Sequence, residues 1–297
     1  MVDNRLYSLL KVVELGSFTK AAEQLSLSQP AVSQHIRQLE DSLNVKIFEH
    51  AHNKFHLTAE GEIVVKYARQ MIALDKNLER ALINEKGRTR SLTIGITHTA
   101  ESSAIIEALV ACTNRYEGLN LRILTNTADQ LYTMLKNYEL DFAFIEGRSG
   151  DPGLGYLMLD TDCLVLAVAP DHPLAQQSMV TITQLRKEKL ILRLPESNTR
   201  DLFEATLRSQ NLAIEDFNIT LEIDSVASIK DLVRRGFGVS VLAKSACLDE
   251  QRKKKLCLLT IENLSMVRET NIVYRKSFEH PELLQGIVEM YNEMNHR

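Results

Sequence analysis

Residues 18–43, FTKAAEQLSLSQPAVSQHIRQLEDSL, have the pattern of two short helices joined by a tight turn. Small and apolar residues predict the first helix over positions 19–25, which a neighbouring helix can cross closely. Ser28 is a suitable N-cap for the second helix, because its hydroxyl can accept a hydrogen bond from an unpaired backbone amide. Pro30 falls in the first turn of that helix, where its missing N–H costs little. The stretch therefore predicts a helix-turn-helix.

The second predicted helix has two faces of different chemistry. One face is apolar and is expected to be buried, since its residues recur at helical spacing: Val32, Ile36, Leu39 and Leu43. The opposite face carries amides, a hydroxyl and a guanidinium: Gln29, Pro30, Ser33, Gln34 and Arg37. In the major groove of DNA, Gln pairs with adenine, Arg with guanine or phosphate, and Ser with several acceptors. The second helix is therefore predicted to read double-stranded DNA.

The N-terminal segment resembles a known family of DNA-binding modules. Residues 5–60 are similar, without gaps, to the winged helix-turn-helix of LysR-type transcriptional regulators. The segments that carry the resemblance are FTKAA (18–22), SQPAVS (28–33), IRQLE (36–40), IFE (47–49) and LTAEG (57–61). Together with the exposed face, the resemblance gives the predicted DNA contacts: Thr19, Lys20, Ser28, Gln29, Pro30, Ser33, Gln34, Arg37 and Lys54.

The resemblance implies a multidomain α/β fold. A winged helix-turn-helix (1–58) is followed by a long linker helix (59–84), a hinge (85–90) and two Rossmann-like α/β subdomains of periplasmic-binding-protein type. The segments APDHPLA (169–175) and GFGV (236–239) resemble landmarks of the LysR effector-binding domain, so the resemblance extends over the whole chain. It implies a subdomain I at 91–161 and 267–297, a subdomain II at 162–266, and a cleft hinge at crossovers near residues 161 and 266.

The composition is that of an ordinary globular protein long enough for two or three domains, with 297 residues, 44% hydrophobic and 25% charged. The start MVDNRLYSLL lacks the features of a secretory signal, and no run of about 18 uncharged apolar residues occurs. We therefore expect a cytoplasmic protein without a membrane partner. Residues 1–60 contain six Lys or Arg and seven Asp or Glu, so DNA affinity is expected from the local placement of charges rather than from net charge.

The predicted linker helix begins after Thr58, a suitable N-cap. Its apolar residues alternate spacings of three and four, which is the period of a coiled-coil seam: Val64, Tyr67, Met71, Leu74, Leu78 and Ala81. Packing on its own domain is the alternative, but the helix is too polar to be buried all round. We therefore predict a homodimer seam formed by Val64, Tyr67, Met71, Leu74 and Leu78. The family resemblance further implies a homotetramer of two dimers.

Downstream of the hinge, short apolar strands alternate with helical segments. Strands are predicted at 92–96, 121–124, 142–145, 164–169, 190–192, 221–223 and 239–242, and helices at 104–116, 128–137 and 201–210. Repeated strand–helix units imply a parallel sheet covered by helices. Ligands of such sheets bind beyond the carboxyl ends of the strands.

Two loops rich in hydrogen-bond donors follow predicted strands. The turn at 97–103 and the octet RLPESNTR (193–200) each precede a helix, and helix N-termini favour anions. We predict that a small carboxylate or inorganic oxyanion binds there as an effector, with these binding residues: Thr97, His98, Thr99, Asn126, Ser197, Asn198, Thr199 and Ser225. Ordinary capping by the Thr and Ser hydroxyls is the alternative. Arg200 keeps two interpretations, an anion ligand or a salt bridge with Asp201 or Glu204.

The remaining polar residues form no recognisable catalytic set or metal signature. His98, His172 and His280 have no nucleophile at a motif spacing, and His172 is interpreted as structural. The four cysteines lie far apart in the sequence, which favours free thiols over a metal or redox site.

The sequence therefore indicates a LysR-type transcriptional regulator rather than an enzyme, with no cofactor and with a small anionic co-inducer. Its expected partners are promoter DNA, the small-molecule effector and further copies of itself, and RNA polymerase is a candidate. One alternative is a solute-binding protein without DNA function, which would leave residues 1–60 without a role. The other is an enzyme on a doubly wound fold, which lacks a catalytic constellation.

Overall fold

The computed structural model describes residues 2–51, 54–87, 89–98, 100, 103–195 and 197–295. Within those ranges the helices are α1 (Asn4–Leu15), α2 (Phe18–Gln24), α3 (Gln29–Leu43), α4 (Ala59–Gly87), α5 (Ser103–Arg115), α6 (Ala128–Lys136), α7 (Ile182–Leu185), α8 (Asn198–Ser209), α9 (Val226–Arg234), α10 (Leu248–Arg252) and α11 (Pro281–Asn295). The strands are β1 (Phe48–Ala51), β2 (Lys54–Leu57), β3 (Arg90–Thr97), β4 (Leu119–Asn126), β5 (Phe142–Glu146), β6 (Leu154–Val168), β7 (Met179–Val180), β8 (Leu190–Leu192), β9 (Ile219–Glu222), β10 (Ser240–Ala243), β11 (Cys257–Ile261) and β12 (Val267–Arg275). The first compact unit holds the chain up to residue 91 together with Thr133–Leu140, and the second holds the remainder.

Helices α1, α2 and α3 confirm the predicted helix-turn-helix. They meet in an apolar cluster of Val12, Ala21, Ala22 and Val32, where the two alanines let the helices approach closely. Ser28 caps α3 as predicted, since its hydroxyl accepts a hydrogen bond from the Ala31 N–H at 3.3 Å.

The predicted buried stripe of α3 is wrong at its last position. Ile36 and Leu39 are buried, but the Leu43 side chain is 49% exposed. Leu43 ends the helix, and Asn44 follows in the left-handed region with φ 54°. The chain turns there and brings Ile47 into the core beside Ile36 and Leu39, so Ile47 occupies the place that the periodicity assigned to Leu43.

The hairpin of β1 and β2 packs on the helices through three phenylalanines. Phe18, Phe48 and Phe55 meet edge to face, with ring centroids 5.2–5.6 Å apart. The buried Glu40 carboxylate fixes the start of the hairpin, because its Oε1 accepts a hydrogen bond from the Ile47 N–H at 2.8 Å and a longer one from the Phe48 N–H. Helix α3 and the wing are therefore joined by a buried charge as well as by apolar contacts.

Helix α4 begins after Thr58, whose hydroxyl accepts a hydrogen bond from the Gly61 N–H at 2.8 Å. This confirms Thr58 as the N-cap. One side of the helix, with Val65, Ala68 and Ile72, is buried in the core of the first unit.

The end of α4 differs from the predicted one. The helix continues beyond residue 84 to Gly87, because Glu85 and Lys86 are good helix formers. Strand β3 begins at Arg90 rather than at residue 92. Helix and strand therefore take up most of the segment 85–90 that was predicted to be a hinge.

The second unit is built on an eight-stranded mixed sheet, in which the strand order is β4-β3-β5-β12-β6-β11-β7 and β10 pairs with β6 off this path. Strands β8 and β9 form a separate two-stranded sheet. The predicted parallel pairing occurs between β3 and β5 and between β8 and β9. It is wrong for the centre of the sheet, where β12 runs antiparallel to both β5 and β6. The reason is that β6 and β12 are long strands that connect the two hydrophobic cores of this unit in opposite directions.

Those two cores lie along the shared strands. The first core packs α5 and α11 against the sheet and has Phe142 and Phe144 at its centre. The second includes Phe203 and Leu166. Strand β6 contributes Leu159 to the first core and Leu166 to the second. The domain boundaries drawn from the sequence stay predictions.

Gly61 lies where α4 passes closest to the start of the wing. A Cβ atom added at Gly61 would lie 2.2 Å from the carbonyl oxygen of Ile47. That oxygen belongs to the backbone, so it cannot move away without distorting the chain. We expect Gly61→Ala to lower the free energy of unfolding of the first unit by about 1–3 kcal/mol, as overpacking does. Urea denaturation followed by circular dichroism measures this. Gly87→Ala, on the same helix but with its nearest contact at 3.4 Å, is the control, and equal stability of both variants would contradict the assigned contact.

Candidate functional site

The first half of α3 presents polar side chains to solvent. Gln29, Pro30, Gln34 and Arg37 are exposed, and Ser33 is half-buried. The Gln29 side-chain amide donates a hydrogen bond to the Ser33 Oγ at 2.9 Å. The Ser33 hydroxyl proton and the second amide proton of Gln29 can still be donated to a ligand. This surface therefore combines donors and acceptors of the kind that read base edges.

The other predicted DNA contacts lie on neighbouring surfaces. Thr19 and Lys20 are exposed in the first turn of α2, and Ser28 is exposed at the start of α3. Lys54 lies in β2 and pairs with Ala51 across the wing, but its side chain is outside the part of the chain that the structure describes.

Helix α4 carries a row of exposed apolar side chains. Four of the residues predicted for the dimer seam are 47–56% exposed: Tyr67, Met71, Leu74 and Leu78. Val64 differs, because it is half-buried and packs on the core of its own unit. The exposed row continues instead through Ile63 and Leu82, which are 57% and 56% exposed. An uncovered apolar row of this length suits contact with another helix.

A cavity of about 170 Å³ lies in the second unit, at the carboxyl ends of β3, β4 and β8. Five predicted effector residues line it: Thr97, His98, Asn126, Ser197 and Asn198. The other lining residues are Thr127, Ala128, Arg193, Leu194, Pro195 and Asp224. Sites for drug-sized ligands measure about 300–1,000 Å³, so this cavity fits a smaller molecule.

Two predicted effector residues, Thr199 and Ser225, are not among the described residues that line the cavity. Thr99 lies outside the described residues. Thr199 is buried on another side of α8, where its Oγ1 accepts a hydrogen bond from the Arg268 Nη1 at 3.4 Å. Ser225 is the N-cap of α9, and its hydroxyl accepts a hydrogen bond from the Ser228 N–H at 3.2 Å. For Ser225 the alternative of ordinary helix capping describes the observed contact.

Arg193 lines the cavity and was not among the predicted effector residues. It follows directly on β8, is 3% exposed, and donates from Nη2 to the Asp224 Oδ1 at 2.8 Å. Its Nε and Nη1 have no hydrogen-bond partner among the described residues. Buried donors without a partner are unfavourable, so an anion in the cavity would stabilise this guanidinium. A cation directly after a buried strand, where ligands bind in such sheets, was the available signal.

Thr97 is engaged in a way that the sequence did not predict. Its hydroxyl donates to the Glu146 Oε2 at 2.6 Å and accepts a hydrogen bond from the Ala100 N–H at 3.1 Å. A hydroxyl has one proton to donate, so an ionised Glu146 leaves Thr97 no proton for an anion. The Asn198 side-chain amide donates to the same Glu146 oxygen at 3.3 Å.

A buried ion cluster continues behind Glu146. The Arg268 Nη2 lies 3.5 Å from the Glu146 Oε1 and 3.2 Å from the Asp162 Oδ2. Arg268 and Asp162 are cross-strand neighbours on β12 and β6. The Ser245 hydroxyl also donates to Asp162, at 2.8 Å. The cavity is therefore connected, through Glu146 and Arg268, to the paired strands β6 and β12.

Arg200 forms ion pairs within the protein. Its Nε pairs with Glu204, and its Nη1 lies 3.2 Å from the Glu222 Oε1. The salt bridge with Glu204 therefore occurs, and the Arg200 side chain is 6% exposed whereas that of Glu204 is 23% exposed. Arg200 is not among the residues that line the cavity.

Two of the four cysteines, Cys112 and Cys247, are buried. Burial raises the pKa of the Cys112 thiol to about 11 and that of Cys247 to about 12, which keeps both protonated at neutral pH. All four cysteines are free thiols in the structure. Within the described residues no group of His, Cys, Asp or Glu is arranged for a metal ion. No helix in the same ranges is long and apolar enough to cross a membrane.

Two family models match the chain and define its class. The LysR substrate binding domain matches residues 85–295, and the bacterial regulatory helix-turn-helix protein of the lysR family matches residues 4–62. The first of these covers more than half of the chain. The protein therefore belongs to the LysR family: it is a transcriptional regulator with a DNA-binding helix-turn-helix and a substrate-binding domain, and not an enzyme.

Individual relatives agree with that class. The HTH-type transcriptional regulator CysL of Bacillus subtilis is 26% identical over 276 residues, which cover 93% of this chain and 91% of CysL. The RuBisCO operon transcriptional regulator of Allochromatium vinosum is 29% identical, covering 89% and 87%. Among solved structures, the LysR family regulator CbnR has a TM-score of 0.70 at 19% identity and covers 99% of both chains. Hydrogen peroxide-bound OxyR of Corynebacterium glutamicum has a TM-score of 0.62 at 23% identity, covering 99% of this chain and 92% of OxyR. At these identities the structures show a shared fold.

Proposed function

We propose that this LysR-type regulator is controlled by a small anionic effector, a carboxylate or an inorganic oxyanion, bound between its two regulatory subdomains. The observation that carries the proposal is the buried guanidinium of Arg193, a residue of the cavity lining whose Nε and Nη1 have no partner among the described residues. Water or an anion can satisfy these donors, and an anion also neutralises the charge. Charge-assisted hydrogen bonds from Arg are the stronger option.

The position of the cavity supports a role in control. Its lining comes from the loops after β3 and β4 on one side and from the β8–α8 segment on the other. These two sides belong to different hydrophobic cores, joined by β6 and β12. A ligand that contacts both sides favours whichever arrangement lets it do so. We propose that this bias changes the spacing of two recognition helices on promoter DNA, with RNA polymerase as the downstream partner.

The DNA-reading part of the proposal rests on α3. We assign Gln29, Pro30, Ser33 and Gln34 to base edges, and Arg37, Thr19 and Lys54 to phosphates. The exposure of the described side chains and their place in the first half of the second helix of a helix-turn-helix support this assignment. An electrophoretic shift on the DNA upstream of the protein's own gene tests binding, and a retarded band whose intensity changes with the effector is expected.

Gln34→Ala should weaken binding to the specific site by about 1–3 kcal/mol if the side chain makes a bidentate contact with a base. Binding to random DNA should change little, because that binding depends on phosphate contacts. Titrations on specific and random duplexes measure both. Gln38→Ala is the matched control, since Gln38 is exposed one turn further along α3. An equal loss on both duplexes would remove Gln34 from the base-contacting set.

The exposed row on α4 supports a dimer seam along this helix. Leu74→Asp places a charge in that row, where burial in a dimer would carry a high desolvation cost. Because Leu74 is 47% exposed in the single chain, we expect the variant to fold and to be monomeric in light scattering. Lys76→Asp, at an exposed position on the same helix, should leave the oligomer intact. An unchanged mass for Leu74→Asp would refute the seam.

Arg193→Gln should abolish stabilisation of the protein by small anions. A thermal-shift screen of carboxylates and oxyanions at constant ionic strength identifies stabilising anions, since a ligand at about 100 times its Kd adds about 2.7 kcal/mol to stability. Losing charge-assisted hydrogen bonds should then weaken binding at least tenfold. Arg186→Gln is the control, because Arg186 also pairs with an aspartate, Asp216, at 2.7 Å but is absent from the cavity lining. The same anion response in both variants would place the ligand elsewhere.

A further inference from the structure

A buried carboxylate lies directly behind the cavity. The Glu146 side chain is 2% exposed and stands at the carboxyl end of β5. It accepts hydrogen bonds from Thr97 and Asn198, and both of these residues line the cavity from opposite sides. A ligand atom hydrogen-bonded to the Thr97 hydroxyl would be separated from the Glu146 carboxylate by two hydrogen-bond lengths, or roughly 6 Å.

The charge of Glu146 is only partly compensated by its neighbours. Its cationic partner is Arg268, at 3.5 Å, and Arg268 lies closer to a second buried carboxylate, Asp162, at 3.2 Å. One guanidinium thus serves two carboxylates. On the other wall, Arg193 is paired with Asp224, whose side chain is 59% exposed and hence well screened by solvent. The cavity therefore has a cation on one wall and an excess of negative charge behind the other.

We propose that Glu146 is a specificity-determining residue, which admits monoanions to the cavity and rejects dianions. This inference rests on the proposed function. A single negative charge in the cavity is attracted by the Arg193 guanidinium, which belongs to the cavity lining. In a cavity of about 170 Å³, a second charge on the same ligand has to lie close to Glu146, where little water screens the repulsion. Selection by a repulsive group is a common means of discriminating between related ligands.

The hydrogen bonds of the cavity point to the same class of ligand. Glu146 holds the Thr97 hydroxyl proton and one amide proton of Asn198. These donors are thereby withdrawn from an anion. A dianion with several acceptor oxygens would find few donors beyond Arg193, whereas a monocarboxylate or a monovalent oxyanion needs fewer. The favoured effector class is therefore a small monoanion.

The test compares ligands of equal carbon skeleton and different charge. Propionate and malonate form one pair, and butyrate and succinate form the second, each titrated by thermal shift at pH 8 and constant ionic strength. The wild-type full chain should bind each monoanion at least tenfold more tightly than its dianion. Glu146→Gln keeps the shape of the side chain and an acceptor oxygen for Thr97, and should narrow this ratio at least tenfold.

Asp216→Asn is the matched control, because it removes one carboxylate of the second unit that does not line the cavity. It should keep the wild-type ratio. Equal or tighter binding of the dianions by the wild type overturns the proposal, and so does an unchanged ratio in Glu146→Gln. If the Glu146 variant does not fold, the ratio of monoanion to dianion affinity in the wild type tests the proposal by itself.

The outcome separates this inference from the proposed function. If both members of each pair stabilise the wild type equally and Arg193→Gln abolishes this stabilisation, the result supports the anion site and contradicts the proposed role of Glu146. If none of the four anions stabilises the wild type and Arg193→Gln behaves identically, the proposed anion site falls and the selectivity falls with it.

Discussion

The pairing of β6 with β12 is the constraint on which the second unit depends. Strand β6 contributes Leu159 to the first hydrophobic core and Leu166 to the second, and β12 pairs with it in the opposite direction and contributes Ile272 to the first core. Their cross-strand pair Arg268–Asp162 is buried, and a buried ion pair is stable only while both partners stay in place. The same guanidinium approaches Glu146 from the first core and Thr199 from the second. Movement of the two cores relative to each other must therefore rearrange the contacts of Arg268. The same contacts thus influence both the charge distribution beside the cavity and the arrangement of the two cores.

The sequence predicted those features that depend on local chemistry. The cap at Ser28, the N-cap at Thr58 and the short buried strands are fixed by residues within one turn or one strand. Leu43 shows where periodicity stops being informative, since a helix end is decided by the chain that follows it. The mixed sheet could not be predicted for a similar reason. Strand order depends on which segments return to the same sheet, and a strand such as β6, half in one core and half in another, has no alternation of its own that reveals this.

The candidate site follows the same division. The loops after β3 and β8 were predicted from their donors and their position in strand–helix units, and the cavity is lined by residues of both. The role proposed for Arg193 was not predicted, because it depends on the burial of the side chain rather than on its residue type: the same guanidinium at the surface would be a solvated charge. Glu146 was missed for the opposite reason. Glu146 is the last residue of a buried strand, and nothing in the neighbouring sequence indicates a role for it. Only the structure shows that it accepts hydrogen bonds from Thr97 and Asn198, which lie far apart in the sequence. Thr97 was predicted to bind the effector because its hydroxyl can donate a hydrogen bond, but in the structure that hydroxyl donates to Glu146.

The carboxylate of Glu40 has a consequence for how such a protein can evolve. By accepting the amides of Ile47 and Phe48, it joins the recognition helix to the wing from the inside, with no use of the side chains that face outward. The framework and the reading surface are therefore encoded by different positions on the same helix. If Gln29, Ser33 and Gln34 read DNA as proposed, substitutions there can change the preferred DNA sequence while the helices and wing keep their structure. New operator preferences are then accessible by single mutations without a loss of folding, which is the condition under which one ancestral regulator can give rise to many.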